Sequence, residues 1–157
     1  MPMHAFRAPV ALGACLVLAC AVAVGAEPLP TRAPVSYSTV MAPDGVPLAV
    51  SEWGNPKGPA LLLLHGFSLS AAVWNQQRSP ALAARYRFVA VDLRGDGASG
   101  KPATSQSYVD PKIWADDVAA VMQAKKLVKP VVVAWSFGGN VVMNYVRHYG
   151  DANLAGI

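Results

Sequence analysis

The run Val131-Val132-Val133-Ala134-Trp135-Ser136-Phe137-Gly138-Gly139 constrains the fold more than any other stretch of this chain. Three consecutive valines suit a strand buried on both faces, because β-branched side chains pack well on a pleated surface and a parallel strand covered twice reads as unbroken apolar sequence. A serine among small residues then interrupts the run. That pattern builds a nucleophile elbow, a sharp turn that lifts the serine hydroxyl clear of the sheet with a helix starting directly behind it. Gly138 supplies the small residue two places after Ser136, and Ala134 stands where glycine is commoner, so the motif is Ala-x-Ser-x-Gly-Gly. A serine at the head of a helix also serves as an ordinary N-cap, accepting a hydrogen bond from a free backbone N–H. The two readings differ in whether the hydroxyl is spent on the helix.

Two similar apolar runs precede this one, Ala60 to Leu64 and Phe88 to Val91, each bounded by turn formers. A helical stretch is expected between them from about Ala71 to Arg85. A second helix starts at Asp110-Pro111, with the aspartate as cap and the proline at the first helical position, where no N–H is needed. It runs to about Lys126, with Ile113, Trp114, Val118, Val121 and Met122 mainly on one face. Upstream, Val35 to Val40 alternates like a half-exposed strand, Asp44-Gly45 turns the chain, and Val46 to Trp53 returns. Strands alternating with helices predict an α/β fold, a mostly parallel sheet with helices on both faces.

Composition agrees: 54% hydrophobic and 14% charged residues in a 157-residue chain describe one domain with a well-filled core. Part of that apolarity is local. Pro9 to Ala26 carries no charge and follows a short head with His4 and Arg7. Its apolar run, Val10 to Val24, is short for a membrane span of about 20 residues, and Val24-Gly25-Ala26 suits cleavage ahead of Glu27. The expectation is a signal peptide over 1–26, a proline-rich linker over 27–34 and a domain over 35–157. Export to the periplasm or the medium follows. Both cysteines, Cys15 and Cys20, fall in the signal, leaving no disulfide in the mature chain. Val17-Leu18-Ala19-Cys20 imperfectly resembles the box before a lipid-modified cysteine, which gives an alternative, a lipoprotein anchored at Cys20. Without that lipid no membrane contact is expected after cleavage. The net charge of +4 is too mild and scattered to indicate a nucleic-acid partner.

Chemistry-bearing residues gather at strand ends. His65-Gly66-Phe67 closes the first buried run, where open parallel sheets place ligand sites. The backbone N–H groups of Phe67 and Phe137 could converge there as an oxyanion hole, each donor typically worth a hundred- to thousand-fold in rate. His65 itself reads as a loop organiser tied to backbone. Asp92-Leu93-Arg94-Gly95-Asp96-Gly97-Ala98-Ser99-Gly100 follows the second run, but it lacks the spacing of a phosphate loop and reads as structural. Asp92 is expected to tie down that loop. Trp74, Trp114 and Trp135 read as core residues, although Trp135 and Phe137 flank Ser136 and, with Phe67, could contact substrate. The Asp116-Asp117 pair reads as a solvated helix face. No cluster has metal-ligand spacing, and no cofactor is implied.

In this order, His65-Gly66-Phe67, Asp92-Leu93-Arg94-Gly95-x-Gly97-x-Ser99 and Trp135-Ser136-Phe137-Gly138-Gly139 resemble the α/β-hydrolase fold family from about Val35 to Ile157. The combination is similar to its esterase, lactonase and cofactor-free haloperoxidase-like members. Epoxide hydrolases and haloalkane dehalogenases share the His-Gly-x loop but carry aspartate at the elbow, which Ser136 argues against. Asp96 departs from the pattern, standing where a histidine or aromatic is frequent. The resemblance implies that Ser136 attacks the acyl carbon of a small ester-like substrate, in the chain order Ser, then Asp or Glu, then His.

The order cannot be completed within this sequence. His148 lies twelve residues after Ser136 in the elbow helix, ~18 Å along its axis, and Asp151 is equally misplaced. A partial domain is therefore expected, with the acid and the histidine beyond Ile157 and Leu154-Ala155-Gly156-Ile157 opening another strand. On that reading the 157 residues alone would be inactive. Two other readings stay open: a cofactor-free peroxidase or perhydrolase on the same residues, and a non-catalytic binding domain that keeps the fold.

Overall fold

The computed structural model describes residues 31–157, so the expected signal peptide, both cysteines and residues 27–30 of the linker lie outside the described residues. The elements are β1 (Ser36–Met41), β2 (Pro47–Gly54), β3 (Ala60–Leu64), a 3-10 helix (Ala71–Arg78), α1 (Pro80–Arg85), β4 (Arg87–Val91), α2 (Gln106–Val109), α3 (Pro111–Ala124), β5 (Val131–Ala134) and α4 (Phe137–Tyr149).

One sheet in the order β1-β2-β4-β3-β5 carries all five strands. β3 pairs in parallel with β4 and β5, with Leu62 opposite both Val89 and Val132. β1 and β2 form an antiparallel hairpin, as the Asp44-Gly45 turn requires, and Gly45 adopts φ +84° there. β2 also pairs antiparallel with β4. The sheet is thus parallel where the chemistry-bearing loops emerge and antiparallel toward its β1 edge.

Alternation along each strand divides the core into two layers. Leu48, Val50, Leu62, Leu64, Val89, Val91 and Val132 face α3 and α4, where they meet Trp114, Val118, Val121, Val141, Val142 and Tyr145. Leu63, Phe88, Ala90 and Trp53 face the 3-10 helix and α1, packing with Ala83. Burying an aliphatic side chain of this kind contributes about 1.5–3 kcal/mol relative to leaving it in water. At the far edge, Ala155 N–H donates to Pro130 O and Val132 N–H donates to Gly156 O, both over 2.9–3.0 Å, so Leu154–Ile157 begins to pair in parallel beside β5.

Two expectations are corrected. The stretch from Ala71 to Arg85 is not one helix: Pro80 forces Ser79 into extended backbone, φ −60° and ψ 144°, and splits it. Asp117 does not belong to a solvated face. Asp116 half-faces solvent and binds Lys112 at 2.7 Å, but one position further round the helix Asp117 turns onto the face of Trp114, Val118 and Val121. The Asp110 cap does form, its Oδ1 accepting from Lys112 N–H at 2.8 Å.

Arg94 is what lets Asp117 stay inside. Its Nε and Nη2 each donate to the Asp117 carboxylate over 2.6 Å, while Nη1 and Nη2 donate to Asp44 at 2.7 and 3.2 Å. Nη1 also donates to Ser107 O at 3.1 Å. One guanidinium thereby joins the β1–β2 turn, the loop after β4 and α3. Arg94 holds the Asp44 carboxyl below the usual carboxylate range, whereas burial pushes Asp117 up against the pull of the same arginine. The Asp44 side chain is 40% exposed and that of Asp117 6%, which fixes the expected cost of losing each. In urea denaturation, Asp117→Ala costs about 3–5 kcal/mol by stranding a buried charge, and Asp44→Ala about 1 kcal/mol or less. The reverse order would refute this account.

Candidate active site

Ser136 stands between β5 and α4 with φ 54° and ψ −119°, a conformation a residue with a Cβ adopts at a cost of about 1–3 kcal/mol. Its side chain makes no capping bond to α4 and the residue is exposed. The ordinary N-cap reading therefore does not hold. The turn is fixed by backbone alone: Trp135 N–H donates to Leu64 O, Gly138 N–H to Trp135 O and Gly139 N–H to Ser136 O, over 2.8–3.0 Å.

Two glycines let the strand ends close on one another. A Cβ on Gly138 would sit 2.5 Å from Leu64 O and 2.8 Å from His65 O, and one on Gly66 would sit 3.2 Å from the Ser136 Cβ. The His65-Gly66-Phe67 loop thus lies directly against the elbow. Its Phe67 ring meets Phe137 edge-on, with centroids 6.1 Å apart. Among the described residues, neither the Phe67 nor the Phe137 amide N–H has a hydrogen-bond acceptor. Ser68, next in the loop, is a second non-glycine residue at positive φ, 57°.

His65 is fully buried and spent. Its Nε2 accepts from Leu93 N–H at 2.9 Å, which fixes the proton on Nδ1, and Nδ1–H donates to Gly66 O at 2.7 Å. It organises the loop, as the sequence suggests, and has no nitrogen left for proton transfer from Ser136. Asp92 does more than hold its own loop. Oδ2 accepts from Ala98 N–H at 2.7 Å, but Oδ1 reaches Ala71 N–H at 2.6 Å and pins the start of the 3-10 helix. Gly97, at φ +49°, has no room for a Cβ against that carboxylate.

Beside Phe67 and Phe137 lies a cavity of about 430 Å³, lined also by Ser68, Arg94, Gly95, Asp96, Tyr108 and Trp114. Trp114 is therefore both core and wall. Tyr108 carries no sequence signal as a site residue; the loop after β4 brings it in. Trp135 is 54% exposed and does not line the cavity. Trp74 is half-buried against the smaller core layer. His148 and Asp151 are exposed, in the last turn of α4 and just beyond it, far from Ser136. Among the described residues no group of three His, Cys, Asp or Glu could hold a metal ion, and no helix is long and apolar enough to cross a membrane.

A strand, a sharp serine turn and a helix, backed by a His-Gly-x loop at the neighbouring strand end, match a known family. Residues 59–157 fit the model for the alpha/beta hydrolase fold, and the chain belongs to that family. It is 45% identical to a Burkholderia cenocepacia protein with an inferred aryl esterase activity, whose crystal structure superposes with a TM-score of 0.74 over 78% of this chain and 47% of that one. It is 37% identical over 117 residues to the non-heme chloroperoxidase of Streptomyces lividans, 74% of this chain and 41% of that protein. It is 40% identical over 115 residues to a Mycobacterium tuberculosis protein provisionally named the oxidoreductase EphD, 73% of this chain and 19% of that one. Other matches bear the names epoxide hydrolase and bifunctional esterase/perhydrolase. The chain spans less than half the length of each of these three relatives.

The close approach at Gly138 is directly testable. Gly138→Ala pushes α4 away from the β3 carbonyls and destabilises the protein by about 1–3 kcal/mol, whereas Gly139→Ala, with nothing within 4 Å of its Cβ, leaves stability within about 0.5 kcal/mol. Thermal melts of the two variants side by side check this; equal losses would mean the approach is not the constraint.

Proposed function

We propose that Ser136 is the nucleophile of a serine hydrolase that cleaves ester-like bonds through an acyl-enzyme. The observation carrying this reading is an exposed, conformationally strained serine whose hydroxyl is not spent on the helix, beside two amides without acceptors. Its Oγ attacks the acyl carbon, a histidine takes the hydroxyl proton and passes it to the leaving alcohol, and water then releases the acid. The Phe67 and Phe137 amides stabilise the oxyanion in between. Gly66 and Gly138 shape the turn that presents them. Because His65 is occupied and His148 is remote, the proposal assigns the histidine and its acid to polypeptide outside this sequence. The short coverage of the relatives supports that assignment, and the 157 residues alone are then inactive. The uncharged Val10 to Val24 run supports export as part of the same reading.

A second reading is favoured by the chloroperoxidase and esterase/perhydrolase relatives: the same serine passing an acyl group to hydrogen peroxide. Peroxide-dependent halogenation in acetate buffer separates it from simple hydrolysis. For either, Ser136→Ala in the complete protein lowers kcat on a short-chain p-nitrophenyl ester at least about a thousandfold. Activity surviving that substitution would overturn the assignment of Ser136, and a complete protein with neither activity would leave a binding domain with the fold but not the chemistry.

A further inference from the structure

We infer that the cavity beside Phe67 and Phe137 is a binding subsite for an organic cation, so that the favoured substrates are esters with an ammonium group. This extension rests on the reading of Ser136 as nucleophile, since it concerns which ester that serine meets.

Three observations point the same way. First, four aromatic rings from three separate segments line the cavity as a connected series. Phe67 meets Phe137 at 6.1 Å, Phe137 meets Trp114 at 5.1 Å, and Trp114 meets Tyr108 at 6.2 Å between centroids. The Trp114 indole N–H donates to Tyr108 O and the Tyr108 hydroxyl to Pro102 O, both at 2.9 Å, so both polar ends are tied to backbone. With those ends committed, the four rings give the cavity an aromatic wall, and the face of such a ring attracts cations through its quadrupole.

Second, Asp96 lines the same cavity, and among the described residues its carboxylate has neither an ion pair nor a hydrogen bond from a donor; its backbone alone is bonded, to Leu93 and Ser99. Third, the cation in the wall has nothing to offer an anion. Arg94 has five N–H donors, and all five are committed, to Asp44, Asp117 and Ser107 O. Its single positive charge is outweighed by the two carboxylates it binds. Lys101, the other cation of this loop, holds the Gly97 and Ser99 carbonyls and does not line the cavity. A carboxylate-bearing substrate would meet net negative charge and no uncommitted cation, whereas a quaternary ammonium would meet aromatic rings and one uncommitted carboxylate.

Asp96→Asn keeps shape and backbone bonds while removing the charge, so folding is not at issue. In the complete protein, kcat/KM is compared for acetylcholine and its carbon isostere 3,3-dimethylbutyl acetate. The cationic ester is expected to be preferred, and Asp96→Asn to reduce that preference about threefold or more while the isostere changes less than twofold. Equal kcat/KM for the two esters, with no effect of the substitution, would overturn the subsite and leave the hydrolase standing. A binding arm works without turnover: in Ser136→Ala, calorimetry of choline against 3,3-dimethylbutan-1-ol is expected to favour choline, and the double variant with Asp96→Asn to lose that preference. Absence of ester hydrolysis by the unsubstituted complete protein, or hydrolysis surviving in Ser136→Ala, together with retained choline preference, would sink the hydrolase reading alone. Equal binding of choline and its isostere would sink the subsite.

Discussion

Backbone pressed against backbone, where the first turn of α4 meets the carbonyls that end β3, is the contact on which the site depends. Hydrogen at Gly138 in place of a methyl group allows it, since a Cβ would come within 2.5 Å of Leu64 O. That approach brings Ser136 against Gly66, which in turn places the Phe67 ring on Phe137 and sets the wall of the cavity. The strain at Ser136 is sustained by the same contact. A protein interior is close-packed and deforms little, so a displacement at this point would be passed to every loop that converges on it.

Around this contact the loops are held by buried polar groups whose hydrogen bonds are well supplied. His65 ties the β3 loop to Leu93, Asp92 ties the 3-10 helix to Ala98, and Arg94 ties the hairpin turn to α3. Ser99 adds a fourth link, donating to Asp92 O and accepting from Ala49 N–H at 2.8 Å. Burying such groups costs free energy unless each finds partners; once satisfied, a network of this kind favours one loop arrangement over many. The geometry of the site thus rests on polar hubs beneath the loops more than on apolar burial at the loops themselves.

The fold was largely legible because its strands are written in aliphatic runs. Ala60–Leu64, Arg87–Val91 and Val131–Ala134 are strands, and Asp110-Pro111 starts α3 as its capping chemistry predicts. The elbow was legible too, since small residues around Ser136 have few other uses. What escaped the sequence was long-range. Nothing local shows that β4 inserts between β2 and β3, or that Asp117 turns inward to an arginine 23 positions earlier. Tyr108 joins the cavity wall because a loop folds back, and no periodicity records that. Pro80 was visible, but its effect on Ser79 was lost in a helical pattern that continued past it. Where a residue's role depends on a neighbour in sequence it could be read; where it depends on a neighbour in space it could not.

The two core layers are unequal in size, and that inequality bears on motion. The layer under α3 and α4 is broad, while the one under the 3-10 helix and α1 is small and also contains Trp74 Nε1 and Gln77 Oε1, buried without a partner among the described residues. Each such atom removes about 1–3 kcal/mol from the face that holds it. Local opening therefore begins on the thin side, where amide protons exchange with solvent ahead of those in α3 and α4. Ala71, whose N–H rests on Asp92, is the first residue of that side. An opening there would release one oxygen of Asp92 while Ala98 still held the other, loosening the ground beneath the glycine-rich loop without unfolding the sheet.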